Sequence, residues 1–384
     1  MSQPRQIVIA GAGPVGAVCA LALKQGGFDP LVLEARSENA PINDRRTLAL
    51  SYGSRLLLER LGIWAHVRDA TPINRIHISH RGGLGRAFLS AREEKLPALG
   101  YVLSYGELAQ ALMGELKQAG VRVRFDAQVK KAEACNGAAE LLLEGEASEI
   151  LHARLAVIAD GGRGKDASPA KWSRDYGQVA VVAEVKSELP HRNLAYERFT
   201  PNGPIALLPR GDGYALVWVN APDEAARIAQ LNDEEFLAEL HRQFGNRQGR
   251  FLAVHARGRF PLKLDYRGTQ AGSHVVRIGN ASQTLHPVAG QGFNLGLRDA
   301  WELAESCLDA APEALGSARQ LARFAAGRRR DALPGIGFTD FLVRTFSTTN
   351  PVAHHLRGLG LMALQALPPA RHFVARRMLF GKNG

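Results

Sequence analysis

A glycine-rich turn near the amino terminus constrains the fold of this chain more than any other feature. An apolar run at residues 6–10 leads into the turn, a helix-forming stretch follows to Gln25, and a second apolar run ends at Glu34. In such a strand–turn–helix unit, glycines permit the tight turn, the approach of a pyrophosphate and close helix packing, and the helix amino terminus supplies free N–H groups. The pattern predicts a dinucleotide site in which Glu34 accepts hydrogen bonds from an adenosine ribose. The residues of the turn are Gly11, Ala12, Gly13, Pro14, Val15 and Gly16.

The composition limits the class of protein. At 384 residues the chain is too long for one small core, so two interleaved domains are expected. No uninterrupted apolar stretch reaches the length that spans a bilayer, and the first strand begins too early for a signal peptide, which points to the cytoplasm. Cys19, Cys135 and Cys307 lie far apart without metal-ligand or disulfide spacing, so we expect buried or incidental thiols and no metal site.

The net charge of +11 is unevenly distributed. From Arg328 to the end, nine basic residues stand against two acidic ones and are interleaved with leucine, methionine and phenylalanine. A basic, apolar helical tail is a candidate for peripheral contact with an anionic membrane surface, at the inner face, or with a partner protein. A carboxy-terminal helix packed on its own domain with solvated arginines explains the pattern equally well. Nucleic acid is disfavoured, because the aromatic residues are not spaced as a stacking platform.

The chain alternates between helical and strand patterns without an internal repeat. Apolar residues at helical spacing predict a helix over residues 48–61, and residues 153–159 form a continuous apolar run typical of a buried parallel strand. Between residues 178 and 220 the pattern changes to short alternating strands separated by turns. We interpret this strand-rich region as an insertion between parts of the nucleotide fold.

A second motif, between Arg277 and Asp299, indicates the family. It is accompanied by Asp160-Gly161, by Asp44-x-Arg46 and by the block Glu197-Arg198-Phe199-Thr200. With these motifs the chain resembles the FAD-dependent hydroxylases of ubiquinone biosynthesis, which are class A flavoprotein aromatic monooxygenases. The resemblance covers nearly the whole chain, and the middle block is most similar to the branch that hydroxylates 2-polyprenyl-6-methoxyphenol.

The resemblance implies an α/β fold with three parts. These are a Rossmann-like FAD-binding domain of the p-hydroxybenzoate hydroxylase fold, an inserted and mostly antiparallel β-sheet substrate domain, and a helical carboxy terminus. It places the FAD-binding domain at residues 1–75, 101–174 and 273–335. Residues 76–100 and 175–272 are expected to form the substrate domain, and residues 336–384 the carboxy-terminal helical region.

The second motif is expected to contact the flavin. A buried strand ending at Gly279, a glycine-containing loop and a helix starting near Phe293 would place bare backbone and a helix amino terminus against a planar ligand. Asn280 stands where many relatives have an acid, and an amide still bonds ribityl hydroxyls. The FAD contacts that the resemblance implies, beyond the turn and Glu34, are Arg36, Arg46, Val129, Asp160, Gly161, Gly279, Asn280, Pro287, Gly290, Gly292, Phe293 and Asn294.

The electron donor is left open by two departures from the family pattern. Relatives often have a serine and an arginine after the Asp-Gly step, where Gly164 and Ala167 stand here. Electrons are therefore expected either from NAD(P)H docking transiently or from a reductase or ferredoxin.

The family chemistry implies a water-excluding site in which a flavin C4a-hydroperoxide transfers oxygen to an electron-rich phenol. A base that removes the phenol proton would make the ring more nucleophilic, and His286 is the candidate. Its alternative role is to hold the flavin-facing loop by hydrogen bonds. Phe199, Leu207 and Trp218 are expected to wall an apolar channel for a polyprenyl chain, or to be core residues of the sheet.

The resulting prediction is an FAD-dependent monooxygenase that uses O2 to hydroxylate a polyprenylated phenol in ubiquinone biosynthesis. A ubiquinone-biosynthetic protein complex is a candidate partner. One alternative is a related hydroxylase that acts at another ring position or on a small soluble aromatic. Another is a flavin-binding subunit of a biosynthetic complex without chemistry of its own.

Overall fold

The computed structural model describes residues 5–42, 44, 46–83, 85–145, 149–162, 164, 171–269, 272–284, 290–346 and 351–383. In chain order the strands of these residues are β1 (Arg5–Ala10), β2 (Leu31–Leu33), β3 (Thr47–Ser51), β4 (Thr71–Ile73), β5 (Arg75–His80), β6 (Arg86–Ser90), β7 (Gly100–Ser104), β8 (Arg122–Arg124), β9 (Val129–Cys135), β10 (Ala138–Leu143), β11 (Ile150–Ile158), β12 (Trp172–Ser187), β13 (Leu194–Thr200), β14 (Gly203–Arg210), β15 (Gly213–Asn220), β16 (Phe251–Tyr266), β17 (Val275–Arg277) and β18 (Gln283–Thr284). The helices are α1 (Pro14–Gln25), α2 (Tyr52–Arg60), α3 (Tyr105–Gln118), α4 (Pro222–Gln230), α5 (Asp233–Phe244), α6 (Gln291–Leu308), α7 (Ala318–Phe346), α8 (Pro351–Ala366) and α9 (Pro368–Phe380).

The first sheet carries the amino-terminal turn. Its strand order is β8-β2-β1-β11-β10-β9, with β17 beside β11. Strands β8, β2, β1, β11 and β17 run parallel, so their carboxyl ends meet at one edge. Ile7 and Ile9 join the core that contains α1, while Val8 and Ala10 join a second core on the other face. Burial on both faces explains why β1 is a continuous apolar run.

The second sheet is larger and mostly antiparallel. Its order is β18-β16-β12-β15-β14-β13-β5-β6, and only the pairing of β13 with β5 is parallel among the described strands. Helices α4 and α5 cover one face, where Trp218 packs with Phe236. The opposite face meets the third sheet, β3-β7-β4, and helix α8. The expectation of an α/β protein with an inserted, mostly antiparallel sheet is confirmed.

Residues 48–61 are only partly helical. Thr47–Ser51 forms β3 and pairs with β7, and α2 begins at Tyr52. The Ser51 hydroxyl caps this helix by accepting a hydrogen bond from Ser54 N at 3.2 Å. The prediction of a single helix was therefore wrong for its first turn, because apolar spacing alone does not separate a short strand from one turn of helix.

The chain ends in a helical region, as expected. Helix α6 packs against α1, α9 packs against α2, and α8 packs against β6. In the part of the chain that the structure describes, no helix is both long enough and apolar enough to cross a membrane.

Candidate active site

The amino-terminal turn lies at the carboxyl end of β1 and is tightly packed on one side. Gly11 has a φ of +108°, which favours glycine, and its N–H donates to Leu33 O at 2.7 Å. A Cβ on Gly16 would lie 2.0 Å from Gly11 O, so only glycine lets α1 start this close to the turn. A Cβ on Gly13 would meet nothing nearer than the Tyr105 hydroxyl at 3.9 Å. The turn is therefore closed toward the protein and open at Gly13, where a pyrophosphate needs room.

Glu34 is the buried carboxylate at the end of β2. Its Oε2 accepts from Ala12 N at 2.9 Å, and its Oε1 accepts from Arg36 N at 3.1 Å and from Arg36 Nε at 2.8 Å. Burial opposes ionisation, but the hydrogen bonds from Arg36 and Ala12 hold the pKa of Glu34 below its usual value. The carboxylate is thus charged at neutral pH and fixes the glycine turn to the neighbouring strand.

Arg46 lies beside the open side of the turn. Its Nη2 donates to Asp44 Oδ2 at 2.6 Å, and its guanidinium lies 5.0 Å from the centroid of the Tyr105 ring. The hydrogen bond with Asp44 raises the pKa of Arg46, so the side chain remains a cation. Tyr105 therefore lies between Arg46 and Gly13.

The second motif folds back onto the first. Gly279, at the end of β17, has a φ of +60°, and a Cβ there would lie 3.1 Å from Val15 Cγ1. A Cβ on Gly296 of α6 would lie 3.0 Å from Val15 Cγ2. The turn after β11 joins them, because a Cβ on Gly162 would lie 3.0 Å from Asn280 O. Residues 11–16, residues 160–162 and the described parts of the second motif, 279–284 and 290–296, thus converge at one edge of the sheet, where open α/β sheets bind ligands.

Asp160 and Val129 lie at the same edge. The Asp160 carboxylate accepts from Gly162 N and from Gly164 N, both at 2.9 Å, and so shapes the turn that contains Gly161. Val129, the first residue of β9, lines a shallow depression together with Asp160 and Arg277. The structure therefore brings these predicted contacts into one neighbourhood.

Asn294 holds the amino terminus of α6 in place. Its Oδ1 accepts from Ser51 N at 2.8 Å, and its Nδ2 donates to Ala49 O at 3.0 Å and Gly290 O at 2.8 Å. Its amide protons are thus used on backbone carbonyls of β3 and of the α6 cap. Gly292 and Phe293 belong to the first turn of this helix, and Phe293 packs against the core under the first sheet. His286 and Pro287 lie outside the described residues.

The three predicted substrate residues lie on two different faces of the second sheet. Leu207 and Trp218 pack in the core beneath α4 and α5, where the Trp218 ring centroid is 5.8 Å from that of Phe236. Tyr196 belongs to that core, and Phe199 lies three residues further along the same strand. Because side chains alternate along a strand, Phe199 points to the opposite face, where it packs against Leu361 of α8. Leu207 and Trp218 therefore lie where the alternative interpretation, that they are core residues of the sheet, expects them.

We call the converging segments, residues 11–16, 160–162, 279–284 and 290–296, the cradle. Its shape and charge suit FAD. Gly13 leaves open backbone for the pyrophosphate, α1 begins directly after it, α6 packs against the turn where Gly296 meets Val15, and Glu34 offers an ionised carboxylate for a ribose. Sequence reasoning missed one side chain that supports it, Asp299, whose Oδ2 accepts from Gly279 N at 3.0 Å. It also gave no role to Glu197, which lies on the same sheet face as Phe199.

Solved structures with this fold include a monooxygenase and a protein that binds FAD. The p-nitrophenol 4-monooxygenase PnpA from Pseudomonas putida DLL-E4 matches all of this chain and all of its own at a TM-score of 0.79 and 17% identity. HpxO from Klebsiella pneumoniae, solved with FAD and uric acid, matches 99% of this chain and 98% of its own at a TM-score of 0.76 and 17% identity. At these identities the similarity establishes the fold.

Curated relatives are closer in sequence. Ubiquinone hydroxylase UbiL from Rhodospirillum rubrum is 32% identical over 97% of this chain and 89% of its own length. The 3-demethoxyubiquinol 3-hydroxylase from Escherichia coli is 32% identical over 95% of each chain. These matches confirm the resemblance that the motifs indicated, and the model of the FAD binding domain family matches residues 5–329. The chain therefore belongs to the FAD binding domain family.

Proposed function

We propose that this protein is an FAD-dependent monooxygenase of ubiquinone biosynthesis that hydroxylates the ring of a polyprenylated phenol, with 2-polyprenyl-6-methoxyphenol as its substrate. The observation that carries the proposal is the convergence of the cradle segments beside an apolar sheet face. The names of the two relatives support the class of reaction. Electrons come from NAD(P)H or from a reductase or ferredoxin.

The residues of the cradle have distinct tasks in this proposal. Bound FAD supplies the redox chemistry with which O2 is activated. Glu34 accepts hydrogen bonds from the adenosine ribose, and the first turn of α1 directs N–H groups to the pyrophosphate. The first turn of α6, held by Asn294, places a positive dipole end beside the flavin ring. Arg46 covers the open side of Gly13.

The apolar face of the second sheet forms the substrate wall. Phe199 packs with Ala87 and Leu361, and Ala195 packs with Ile73 and Val102 of the third sheet. Such a packed apolar surface excludes water from the reacting centre. Leu207 and Trp218 support this wall from the face beneath α4 and α5.

Helices α8 and α9 supply a surface for peripheral contact with an anionic membrane, from which a polyprenylated substrate is drawn. Leu359 and Met362 are 60% and 51% exposed and lie at helical spacing along α8, and Leu367 and Phe373 are 55% and 67% exposed. Neither helix contains an acidic residue, and α9 carries Arg376 and Arg377, whereas its Arg371 is paired with Glu93. Exposed apolar side chains beside cations match an anionic lipid surface.

The catalytic proposal is tested with purified, FAD-loaded protein and NAD(P)H or a reductase. Oxygen consumption should rise with a prenylated 6-methoxyphenol and much less with the same phenol lacking the tail. Equal stimulation by both phenols would favour a hydroxylase of small aromatics, and no stimulation would favour a non-catalytic flavin subunit. The quinone precursor that accumulates in cells lacking the protein then reports the ring position.

The membrane proposal is tested by flotation with vesicles of anionic and of neutral phospholipid. The wild-type protein should float with anionic vesicles, and Phe373→Ser should reduce that fraction severalfold. Leu252→Ser is the matched control, because Leu252 on β16 is 52% exposed but lies outside α8 and α9. Equal loss in both variants, or no flotation of the wild type, would contradict the proposal.

A further inference from the structure

Glu197 is a carboxylic acid set in the apolar face of the second sheet. It lies on β13, where it pairs with Ala206 of β14 and Ile78 of β5. Side chains alternate along a strand, so Glu197 shares a face with Ala195 and Phe199, whereas Tyr196 belongs to the core beneath α4 and α5. The acid therefore points to the face that meets the third sheet.

The side chains next to Glu197 along its face of β13 are apolar, and two basic groups, His80 of β5 and Arg357 of α8, lie on the same face of the sheet near Phe199. Ala195 on one side packs with Ile73 and Val102, and Phe199 on the other side packs with Ala87 and Leu361. The side chain is half-buried, and no side chain or backbone group in the described part of the structure forms a hydrogen bond or ion pair with its carboxyl group. Its neighbour Arg198, by contrast, donates to Gln243 O.

An unpaired acid in such a place is costly for folding. A half-buried charge without a partner loses part of its hydration, and an apolar residue of similar size would avoid that penalty. Burial alone raises the pKa of Glu197 to about 7. A carboxyl group with this pKa exchanges a proton readily at neutral pH, which is the property required of a general base.

The face that bears Glu197 is connected to the cofactor cradle by the third sheet. Asn294 of α6 donates to Ala49 O of β3, and β3 pairs with β7. Strand β7 packs against β14, the neighbour of Glu197 in the second sheet, and contributes Val102 to the contact with Ala195. The amino terminus of α6 and the Glu197 face are thus held in a fixed relation by a few short strands.

We propose that Glu197 accepts a hydrogen bond from the hydroxyl group of the phenol substrate and takes its proton during hydroxylation. The phenol O–H bond breaks, its electron pair remains on the phenol oxygen, and the proton bonds to a carboxylate oxygen of Glu197. The ring becomes more electron-rich at the positions that oxygen attacks. This inference rests on the proposed function, and it assigns to Glu197 the proton transfer for which the sequence offered His286.

The test compares the wild type with Glu197→Gln, which keeps the shape and a hydrogen-bond acceptor but has no titratable proton. Glu313→Gln is the control, since Glu313 is exposed in the turn before α7. Three quantities are measured from pH 5.5 to 8.5 on FAD-loaded protein with a prenylated 6-methoxyphenol. These are product formation, the fraction of consumed oxygen released as hydrogen peroxide, and the infrared band of a protonated carboxyl group.

The wild type should show product formation that falls below pH 7 and a protonated-carboxyl band that grows over the same range. Glu197→Gln should lack that band, lose the acidic limb of the profile, and form product about 100-fold or more slowly while most oxygen becomes peroxide. Retained FAD absorbance and a melting temperature no lower than that of the wild type would show that the variant is folded. If the wild type responds to the phenol but the variant keeps its pH profile and coupling, Glu197 is not the proton acceptor and the proposed function survives. If the wild type does not respond to the phenol, both proposals are overturned.

Discussion

Arg328 and Asp299 form a buried ion pair, with 2.6 Å between the guanidinium Nε and the carboxylate Oδ1. The second carboxylate oxygen of Asp299 accepts from Gly279 N at 3.0 Å. Arg328 also donates to Asp331, whose other oxygen accepts from Lys382 N near the end of the chain. One network therefore joins α6, α7 and the carboxy terminus to the turn at Gly279, for which we propose flavin contact.

Replacement of Asp299 by asparagine should weaken both folding and FAD binding. Burial raises the pKa of Asp299, and Arg328 opposes that effect, so loss of the negative charge leaves part of the Arg328 charge uncompensated. The amide of asparagine has one acceptor oxygen where the carboxylate has two. It therefore cannot accept from Arg328 Nε with one end and from Gly279 N with the other. We expect a loss of about 3 kcal/mol in the free energy of unfolding. Chemical denaturation and FAD titration measure the two effects.

Asp212→Asn is the control for that prediction, because Asp212 forms an exposed pair with Lys186. A change below about 0.5 kcal/mol is expected there. Equal effects of the two variants would contradict a special role for the buried network.

Gly16→Ala should abolish FAD binding. The added Cβ would lie 2.0 Å from Gly11 O, so α1 would have to move away from the turn that we propose as the pyrophosphate site. Gly114→Ala is the matched change, since Gly114 is an exposed glycine inside α3 with no atom within 4 Å of the added Cβ. It should bind FAD normally and gain up to about 1 kcal/mol of stability. Flavin absorbance after gel filtration separates the two outcomes, and normal loading of Gly16→Ala would refute the assignment of the turn.

Asn294→Asp should be more damaging than its small change in shape suggests. The carboxylate can still accept from Ser51 N, but it cannot donate to Ala49 O and Gly290 O and would repel both carbonyls. We expect a loss of about 2–4 kcal/mol and a lower FAD affinity, because the amino terminus of α6 is released from β3. Thermal unfolding with and without FAD measures this. Wild-type stability in the variant would show that these hydrogen bonds are dispensable.

His77 should contribute to acid sensitivity. Burial, together with Arg247, Arg86 and Arg198, lowers the pKa of His77 to about 4. Between pH 6.5 and 4 the unfolded chain therefore binds more protons than the folded protein. The contribution of His77 to the free energy of unfolding is complete above pH 6.5 and is lost as the pH falls toward 4. The loss at pH 5 is on the order of 1–2 kcal/mol.

His77→Phe tests this, because the ring of His77 is stacked on Phe88 with 4.6 Å between centroids and an aromatic ring can take its place. The difference in unfolding free energy between pH 7 and pH 5 should shrink in the variant. His255→Gln, at an exposed position on β16, should leave that difference unchanged. An unaltered slope in His77→Phe would contradict the prediction.

Local patterns allowed much of the fold to be predicted from the sequence. The turn at residues 11–16 was recognisable because its constraints act between neighbours in the chain: Gly16 must be small because Gly11 O is next to it. The antiparallel strands between residues 178 and 220 were recognisable because alternation and turn residues are local signals. The boundary at Ser51 was missed because a strand and a helical turn carry the same apolar residues over so short a length.

Other features were decided only by contacts between distant parts of the chain. The alternation of side chains along the strands puts Phe199 on one face of the second sheet and Leu207 and Trp218 on the other. Which of the two faces α4 and α5 cover depends on where those helices pack. The pairing of Asp299 with Arg328, and the lack of a partner for Glu197 among the described residues, arise from elements that meet only in the folded protein. The sequence by itself thus determined the dinucleotide turn and the family, because these depend on short-range geometry. The tertiary structure decided which charges are paired and which acid stands alone, because burial and partnership are properties of the assembled sheets.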